Sequence, residues 1–464
     1  MKGMGTGSPF ADNRRGWNGR TALWCAVLLL APLVLWLAVR NGLAISAQVP
    51  RDPNEGWNAV HALRLMAGGP LYPSPHALMV NNYPPLSFYA VAALTRLTGD
   101  AIIAGRLLSF VSYLAGLGAV AALAARMGCG WPARLFAALF LAAVLLVASD
   151  YVAMDDPQLL GHALQLGGLL LLLRRRRFAA ALAMVLGLYV KHNLIALPLA
   201  AGLWLLGQDR REGLTFIAAM LASGLAGLAL FRWQFGTSLL AQLATPRLSS
   251  LANMRAALGA LAAWAALPLL LVTGLFRPAR TRFDNLVLLY LAIALALGLA
   301  FSAGDGVDAN IFFDAAIALA LGLGLVVQRR GRAALPPALA LLLLFGLTVE
   351  DNAFAFGPSL AGQSARDIAF LRAHSGPAVC QQISLCLWTG ATPEVDVFNI
   401  GEAYRTGARD PAPLVKQIEA QRFAVLQLGS LDDLGPQVRA AITRAYRLDH
   451  ADDNGLFWLP RNKG

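Results

Sequence analysis

The sequence is poor in charged residues, which excludes an ordinary soluble protein. Only 14% of its 464 residues are Asp, Glu, Lys or Arg, whereas 57% are hydrophobic and the mean hydropathy is +0.57. A soluble domain carries about a quarter charged residues. Most of this chain must therefore lie in lipid.

Cysteine is scarce as well, and its spacing argues against a zinc centre. The four cysteines form neither a CxxC pair nor a cluster with histidine. The net charge is +12, and its arginines stand in short clusters between apolar runs. That distribution indicates membrane topology rather than a face that binds nucleic acid.

Long apolar runs predict eleven membrane spans. The predicted spans are residues 21–39, 102–125, 132–149, 158–173, 178–190, 193–207, 213–231, 256–276, 284–302, 311–329 and 334–349. The first is predicted to be a retained anchor, because its apolar core is longer than that of a signal peptide. Arginine clusters precede the first span and follow the second, fourth, sixth, eighth and tenth, so they share one side. The positive-inside rule makes that side cytoplasmic.

This topology divides the chain into three parts. Residues 1–20 form a cytoplasmic tail, and residues 21–349 form a transmembrane domain whose long first outer loop is 40–101. Within that loop, 58–67 and 86–98 are predicted to be helices that lie along the outer membrane surface. Residues 350–464 alternate between helical and strand patterns, which predicts a small α/β domain outside the membrane.

Asp52 and Glu55 are the first candidate catalytic residues, because they follow the first span directly. Ionisable groups near the hydrocarbon layer are costly and usually functional. Transfer of a sugar to a hydroxyl or amine needs a base, and partial desolvation raises the pKa of a carboxylate towards the working pH. The alternative is that Asp52 or Asn54 caps the surface helix that begins near Glu55.

A second pair of acids, Asp155 and Asp156, is predicted on the same outer side as Asp52. One of them could orient the acceptor, hold a divalent cation or balance a basic group of the donor. The alternative is ordinary helix capping, since Pro157 stands at the first turn of the next span.

Basic residues in outer positions are candidates for binding a lipid phosphate. Lys191 and His192 interrupt an apolar stretch, and Arg106 opens the second span on the outer side. Intramembrane cations need a partner, and a phosphate would supply one. Lys191 could instead snorkel to the interface, and Arg106 could pair with Asp100.

Tyr83-Pro84-Pro85 fixes an extended bend that returns the loop to the membrane. Asn82 and Tyr83 are weaker candidates for contacting the acceptor.

The first outer loop resembles that of the multispan glycosyltransferases with the GT-C fold. The similarity is to the bacterial branch allied to protein O-mannosyltransferases and the aminoarabinose transferases of lipid A, and it covers roughly the first 210 residues. It is carried, at approximate spacing, by Asp52, Glu55, Gly56, Ala59, Ala62, Leu63, Gly69 and Tyr72, then Tyr83-Pro84-Pro85-Leu86, Gly99-Asp100 and Arg106-Leu107. In this family two acids commonly stand side by side, whereas here Asn54 precedes Glu55.

The resemblance implies a polytopic enzyme that takes a sugar from a polyprenyl-phosphate donor at the outer face of a bacterial inner membrane. The catalytic acid would be Asp52 or Glu55, and Asp155 or Asp156 would be the second outer acid. Lys191 would be the basic residue that often follows the fifth span. The C-terminal domain would be periplasmic and lie over the active site, where Cys380 and Cys386 could pair in an oxidising compartment.

The prediction is an inverting glycosyltransferase with about eleven spans, membrane lipids around it and no nucleic-acid partner. Its acceptor could be a lipid, a polysaccharide or a protein, and a divalent cation could assist. A transporter or lipid-linked-saccharide flippase is the alternative, but it predicts internal repeats and helices interrupted at mid-membrane, and the sequence shows neither clearly.

Overall fold

The structure is a computed structural model that describes residues 10–74, 76–245, 247–349, 358–391 and 393–461. The first nine residues of the predicted tail and the start of the predicted C-terminal domain, residues 350–357, lie outside the described residues. The helix of the first span begins at Phe10, well before the predicted start at residue 21.

Each of the eleven predicted spans coincides with a helix. These helices are α1 (Phe10–Leu43), α4 (Ala101–Arg126), α5 (Trp131–Val147), α6 (Gln158–Leu173), α7 (Arg177–Val190), α8 (Ala196–Gln208), α9 (Arg210–Phe235), α11 (Leu251–Val272), α12 (Arg282–Phe301), α13 (Phe313–Arg329) and α14 (Leu335–Leu347). Within the described residues, six of them (α1, α4, α9, α11, α12 and α13) are long and apolar enough to cross a membrane. The other five are shorter, so the count of eleven spans stays a prediction.

Helix α13 forms the centre of the membrane domain. Its side chains are buried almost all round, in a cluster of Leu, Ala, Val and Phe residues contributed by α1, α4, α5, α11 and α12. A helix that is hydrophobic on every side belongs in such a position. By contrast, α9 buries little of its surface and leaves Leu221, Leu225 and Trp233 exposed, as a helix that faces lipid does.

The first outer loop folds into α2 (Pro53–Met66) and α3 (Leu86–Thr98). The prediction of two helices is confirmed, but the surface position expected for α2 is wrong. Residues from Glu55 to Ala62 are all buried, because α2 packs between α3, α4 and a helix of the C-terminal domain. Further along the chain, the outer loop between α9 and α11 contains the short helix α10 (Ser238–Leu243).

The C-terminal domain is α/β, as predicted. Its helices are α15 (Pro358–Ala373), α16 (Ile383–Trp388), α17 (Val397–Arg405), α18 (Ala412–Glu419) and α19 (Pro436–Ala445), and its strands are β1 (Ala378–Cys380), β2 (Val425–Leu428), β3 (Tyr446–Asp452) and β4 (Gly455–Pro460). The sheet order is β1-β2-β4-β3, with β1 parallel to β2 and the remaining pairs antiparallel. Sequence patterns predicted neither α16 nor α17. Cys380 and Cys386 form a disulfide, a pairing that the sequence left open.

The C-terminal domain and the first outer loop share packing. Gly56 of α2 lies so close to α16 that a Cβ atom there would be 2.3 Å from the backbone nitrogen of Ser384. Val80 is part of the hydrophobic core of the C-terminal domain, and the backbone N–H of Asp396 donates to the carbonyl of Leu78 at 2.8 Å. The domain is therefore held directly over α2.

Candidate active site

Two neighbouring cavities lie where the first outer loop meets the C-terminal domain and the loop between α12 and α13. The smaller, of about 350 Å³, is here named the acidic cavity; it is lined by Asp52, Pro53, Asn54, Trp57, Tyr151, Gly306, Val307, Asp308, Gln381, Ile383, Asp396, Val397, Phe398 and Asn399. The larger, of about 680 Å³, is named the basic cavity; its polar lining includes Asn54, Asn82, Tyr83, Tyr151, Lys191, His192, Asn193, Thr245, Arg247, Ser249 and Asn310. The two cavities share Asn54, Tyr151, Gly306 and Val307, so they adjoin.

Asp52 faces the acidic cavity from the N-terminus of α2. Its Oδ1 accepts the backbone N–H of Asn54 at 2.7 Å, so the alternative prediction of a helix cap is correct. Burial raises the pKa of Asp52 to about 6, with a smaller contribution from the neighbouring Asp308. The carboxyl is therefore ionised at neutral pH and still basic enough to take a proton.

Glu55 lies in the first turn of α2 and is fully buried in an ion pair with Arg106. The guanidinium donates from Nε and Nη2 to the two carboxylate oxygens, both at 2.7 Å. The backbone N–H groups of Arg51 and Asp155 also donate to Glu55. Glu55 lines neither cavity.

Arg106 uses its remaining donors on the segment that leads into α2. Nη1 donates to the carbonyls of Ile45 and Ala47, and Nη2 donates to that of Val49. All five N–H groups of the guanidinium are thereby engaged, which leaves none for a phosphate. The expected alternative partner, Asp100, instead caps α4.

The two acids of the second pair have different surroundings. Asp156 accepts from Lys191 Nζ at 3.1 and 3.2 Å, and both side chains are buried. Asp155 packs against Gly105 of α4, where a Cβ atom would fall 1.9 Å from the carboxyl carbon. Burial, together with the neighbouring carboxylates of Glu55 and Asp156, raises the pKa of Asp155 well above its usual value. Asp156 is joined to the basic cavity through Lys191, which lines it.

Lys191 lies between α7 and α8 and lines the basic cavity. Burial alone would lower its pKa, but the Asp156 carboxylate and the Tyr83 hydroxyl outweigh that effect and raise the pKa above its ordinary value. The ammonium therefore stays charged, 5.0 Å from the centre of the Tyr83 ring. His192 lies beside it, and burial together with the nearby cations Lys191 and Arg247 lowers its pKa.

The two amide and aromatic candidates of the first outer loop also lie at the site. Asn82 donates to the side chain of Asn399 at 3.2 Å, and Tyr83 lines the basic cavity beside Lys191. Asp52, Lys191, His192, Asn82 and Tyr83 therefore come together around the two cavities. By contrast, Glu55, Arg106 and Asp155 line neither of the two cavities.

Several polar residues of the site were not predicted as site residues. Arg247 lines the basic cavity from an outer loop, and Tyr151, Gln381, Asp396 and Asn399 line the acidic one. The sequence contained one signal for Arg247. Residues 232–255 have three arginines and no acid, which is unusual for an outer loop. Asp396 caps α17 by accepting the backbone N–H of Asn399.

Among the described residues, neither cavity has a group of three His, Cys, Asp or Glu side chains close enough together to hold the divalent cation that the sequence left open. Three such side chains, Asp367, His450 and Asp452, come within 4.8 Å of one another only in the C-terminal domain, near α15 and β3. Asp367 there is already bonded to Asn454.

The fold is similar to that of one protein solved in two states. The crystal structure of ArnT from Cupriavidus metallidurans bound to undecaprenyl phosphate matches with a TM-score of 0.61 and 15% identity, over 93% of this chain and 97% of that one. The apo structure of the same protein matches with a TM-score of 0.61 and 16% identity over the same shares. No protein-family model matches this sequence, and no curated protein matches it. The chain therefore has the GT-C-like fold of ArnT, as the resemblance of its first outer loop implied.

Proposed function

We propose that this protein is a glycosyltransferase that moves a sugar from a polyprenyl-phosphate donor to an acceptor hydroxyl or amine. One observation carries the proposal: a basic carboxylate, Asp52, faces one cavity, while a charged Lys191 faces the cavity adjoining it. The GT-C-like fold supports it, and the solved ArnT structure contains undecaprenyl phosphate.

Asp52 is the general base in this proposal. It lies on the wall of a cavity large enough for a small ligand, and its pKa of about 6 suits proton abstraction near neutral pH. Glu55 is assigned a positioning role instead, because its two oxygens already accept from Arg106 and from backbone N–H groups.

Lys191 and Arg247 hold the donor phosphate in the basic cavity. They supply two positive charges there, and the His192 imidazole adds a hydrogen-bond donor. Asp156 fixes the position of Lys191, and Tyr83 lies close to the ammonium. Arg106, a predicted phosphate ligand, is assigned with Glu55 to positioning the segment before α2.

The reaction needs one displacement. The acceptor oxygen or nitrogen attacks the anomeric carbon of the donor while its proton passes to the Asp52 carboxylate. The bond between that carbon and the phosphate oxygen breaks, and its electron pair leaves with the polyprenyl phosphate, whose charge Lys191 and Arg247 balance. A single attack from the opposite face inverts the configuration at that carbon.

The proposed setting is the outer face of a bacterial inner membrane. The N-terminus would be cytoplasmic and the C-terminal domain periplasmic, where its disulfide would persist. A polyprenyl donor would reach the basic cavity from the membrane. The step as written uses no metal ion and no nucleic-acid partner.

The test is a transfer assay with purified protein in nanodiscs and radiolabelled polyprenyl-phosphate sugars. We expect label to pass from lipid to acceptor with the wild type, and transfer to be lost in Asp52→Asn while donor binding is kept. Lys191→Met should lose donor binding itself. Asp453→Asn, an exposed site in the β3–β4 turn, is the matched control. Full transfer by Asp52→Asn would refute the assignment of the base, and label that crosses the bilayer without any transfer would favour a flippase.

A further inference from the structure

The two adjoining cavities differ in the sign of their charge. The charged residues that line the acidic cavity are Asp52, Asp308 and Asp396, with no lysine or arginine among its described lining residues. The charged residues that line the basic cavity are Lys191 and Arg247, with no acid among its described lining residues. The boundary between opposite charges therefore runs along the wall that the two cavities share.

We propose that the acceptor is a saccharide without phosphate or carboxylate groups, either neutral or bearing an amine. This inference rests on the proposed function, in which the basic cavity takes the anionic donor and the acidic cavity takes the acceptor. An anionic acceptor would bring like charges together in a partly desolvated site, where repulsion is much stronger than in water. Electrostatic exclusion of this kind is a recognised source of specificity.

Hydrogen bonding points to the same class of acceptor. Asp308 uses Oδ1 to accept the N–H of Ala309, which leaves its second oxygen free to accept from a ligand. Asp52 likewise accepts one backbone N–H through Oδ1 alone. A wall rich in acceptors needs a ligand that donates: sugar hydroxyls and ammonium groups donate, whereas an ionised phosphate only accepts.

The C-terminal domain supplies one side of this selective wall in a fixed arrangement. Asp396 accepts from Trp57 Nε1 at 2.9 Å and from the backbone and side chain of Asn399 at 3.0 and 2.7 Å. Gln381 is held by Asp433 at 2.8 Å. These hydrogen bonds fix the polar groups in position, so they can select an acceptor without rearrangement.

Asp308 is the residue that tests the inference, because it is exposed at the cavity and is not the proposed base. The protein in nanodiscs would be given one donor and three acceptors that share a skeleton: a neutral trisaccharide, its amino-sugar analogue, and the same trisaccharide with one phosphate. The readout is kcat/KM for each acceptor. We expect the neutral and amino acceptors to exceed the phosphorylated one by at least about tenfold.

Charge variants then show whether the cavity causes the preference. The quantity compared is kcat/KM for the neutral acceptor divided by kcat/KM for the phosphorylated one. Asp308→Asn should lower this ratio roughly threefold, and Asp308→Lys should bring it near or below one. Asp453→Lys makes the same change of charge on the exposed β3–β4 turn, so it should leave the ratio unchanged. A wild type that prefers the phosphorylated acceptor, or a ratio that Asp308→Lys does not move, would overturn the inference.

Acceptor binding without donor separates this inference from the proposed function. Calorimetry with the three saccharides should rank them in the same order as kcat/KM. If the neutral saccharide binds best but no donor gives transfer, the proposed function fails while the charge selectivity stands. If transfer occurs to all three equally, only the charge selectivity fails, and if no saccharide binds, the acidic cavity is not an acceptor site.

Discussion

The buried pair of Glu55 and Arg106 should act as a structural clamp on the segment that presents Asp52, and this role can be separated from catalysis. Arg106 joins the carbonyls of Ile45, Ala47 and Val49 to the carboxylate of Glu55. The informative changes are Glu55→Gln, Arg106→Met and the double variant. Each single change leaves the partner's charge buried without its counterion.

The expected loss of stability is large for a point change. Removal of one partner from a buried ion pair costs about 3–5 kcal/mol, because the remaining charge is uncompensated. Arg106→Met also strands three carbonyls at roughly 1–3 kcal/mol for each one that stays buried and unbonded. Arg106→Met should therefore destabilise more than Glu55→Gln, and the double variant should lose less than the sum of the two.

Thermal unfolding in detergent and the transfer assay would be run on the same preparations. Arg439→Met breaks the exposed pair with Asp432 and serves as the control, with an expected loss of about 0–1 kcal/mol. Activity of the Glu55→Gln variant should fall in proportion to its folded fraction and return as temperature is lowered. Wild-type stability of Glu55→Gln with no transfer at any temperature would refute this reasoning and make Glu55 the base.

The kcat/KM of the wild type should not change with pH above about pH 6 and should fall about tenfold per pH unit below it, because the proposed base Asp52 has a pKa of about 6. A kcat/KM that stays constant from about pH 5 to 7 would contradict this assignment. Gly105→Ala should lower the free energy of unfolding by at least about 1–3 kcal/mol through overlap with Asp155, whereas Gly116→Ala on the same helix meets open space and should be neutral in thermal unfolding. Gly56→Ala should push α16 away from α2, so limited proteolysis should cut the C-terminal domain faster while the membrane helices stay intact.

The helices were predictable because the hydrophobic pattern that specifies them is local. The run from Leu86 to Thr98 was predicted as a helix with the bounds that the structure has, and its end follows from Gly99 in a left-handed conformation. The position of α2 was not predictable from its own residues. Its burial on all sides depends on α16, which is more than 300 residues away in the sequence.

The site was partly predictable because some of its residues also have a local signal in the sequence. Acids and cations in outer loops of a hydrophobic chain are conspicuous, which led to Asp52, Asp156 and Lys191. The sequence could not tell that Glu55 and Arg106 would pair across 51 positions. Residues of the C-terminal domain such as Asp396 carry no local signal of function, because only the tertiary fold brings them to the cavity.

The insertion of the first outer loop into the C-terminal core has a consequence for how the protein is made. Val80 packs in that core, and Arg409 donates to the carbonyl of Ala77 across 332 positions of the chain. Ala77 and Arg409 are translated far apart in time. In the proposed topology the loop therefore waits outside the membrane until the region around Arg409 has been translated and exported. During that interval its apolar residues are uncovered and depend on chaperones or on the bilayer for protection. Truncated chains that stop before the last domain should therefore be recognised by quality-control proteases rather than accumulate as a stable membrane fragment.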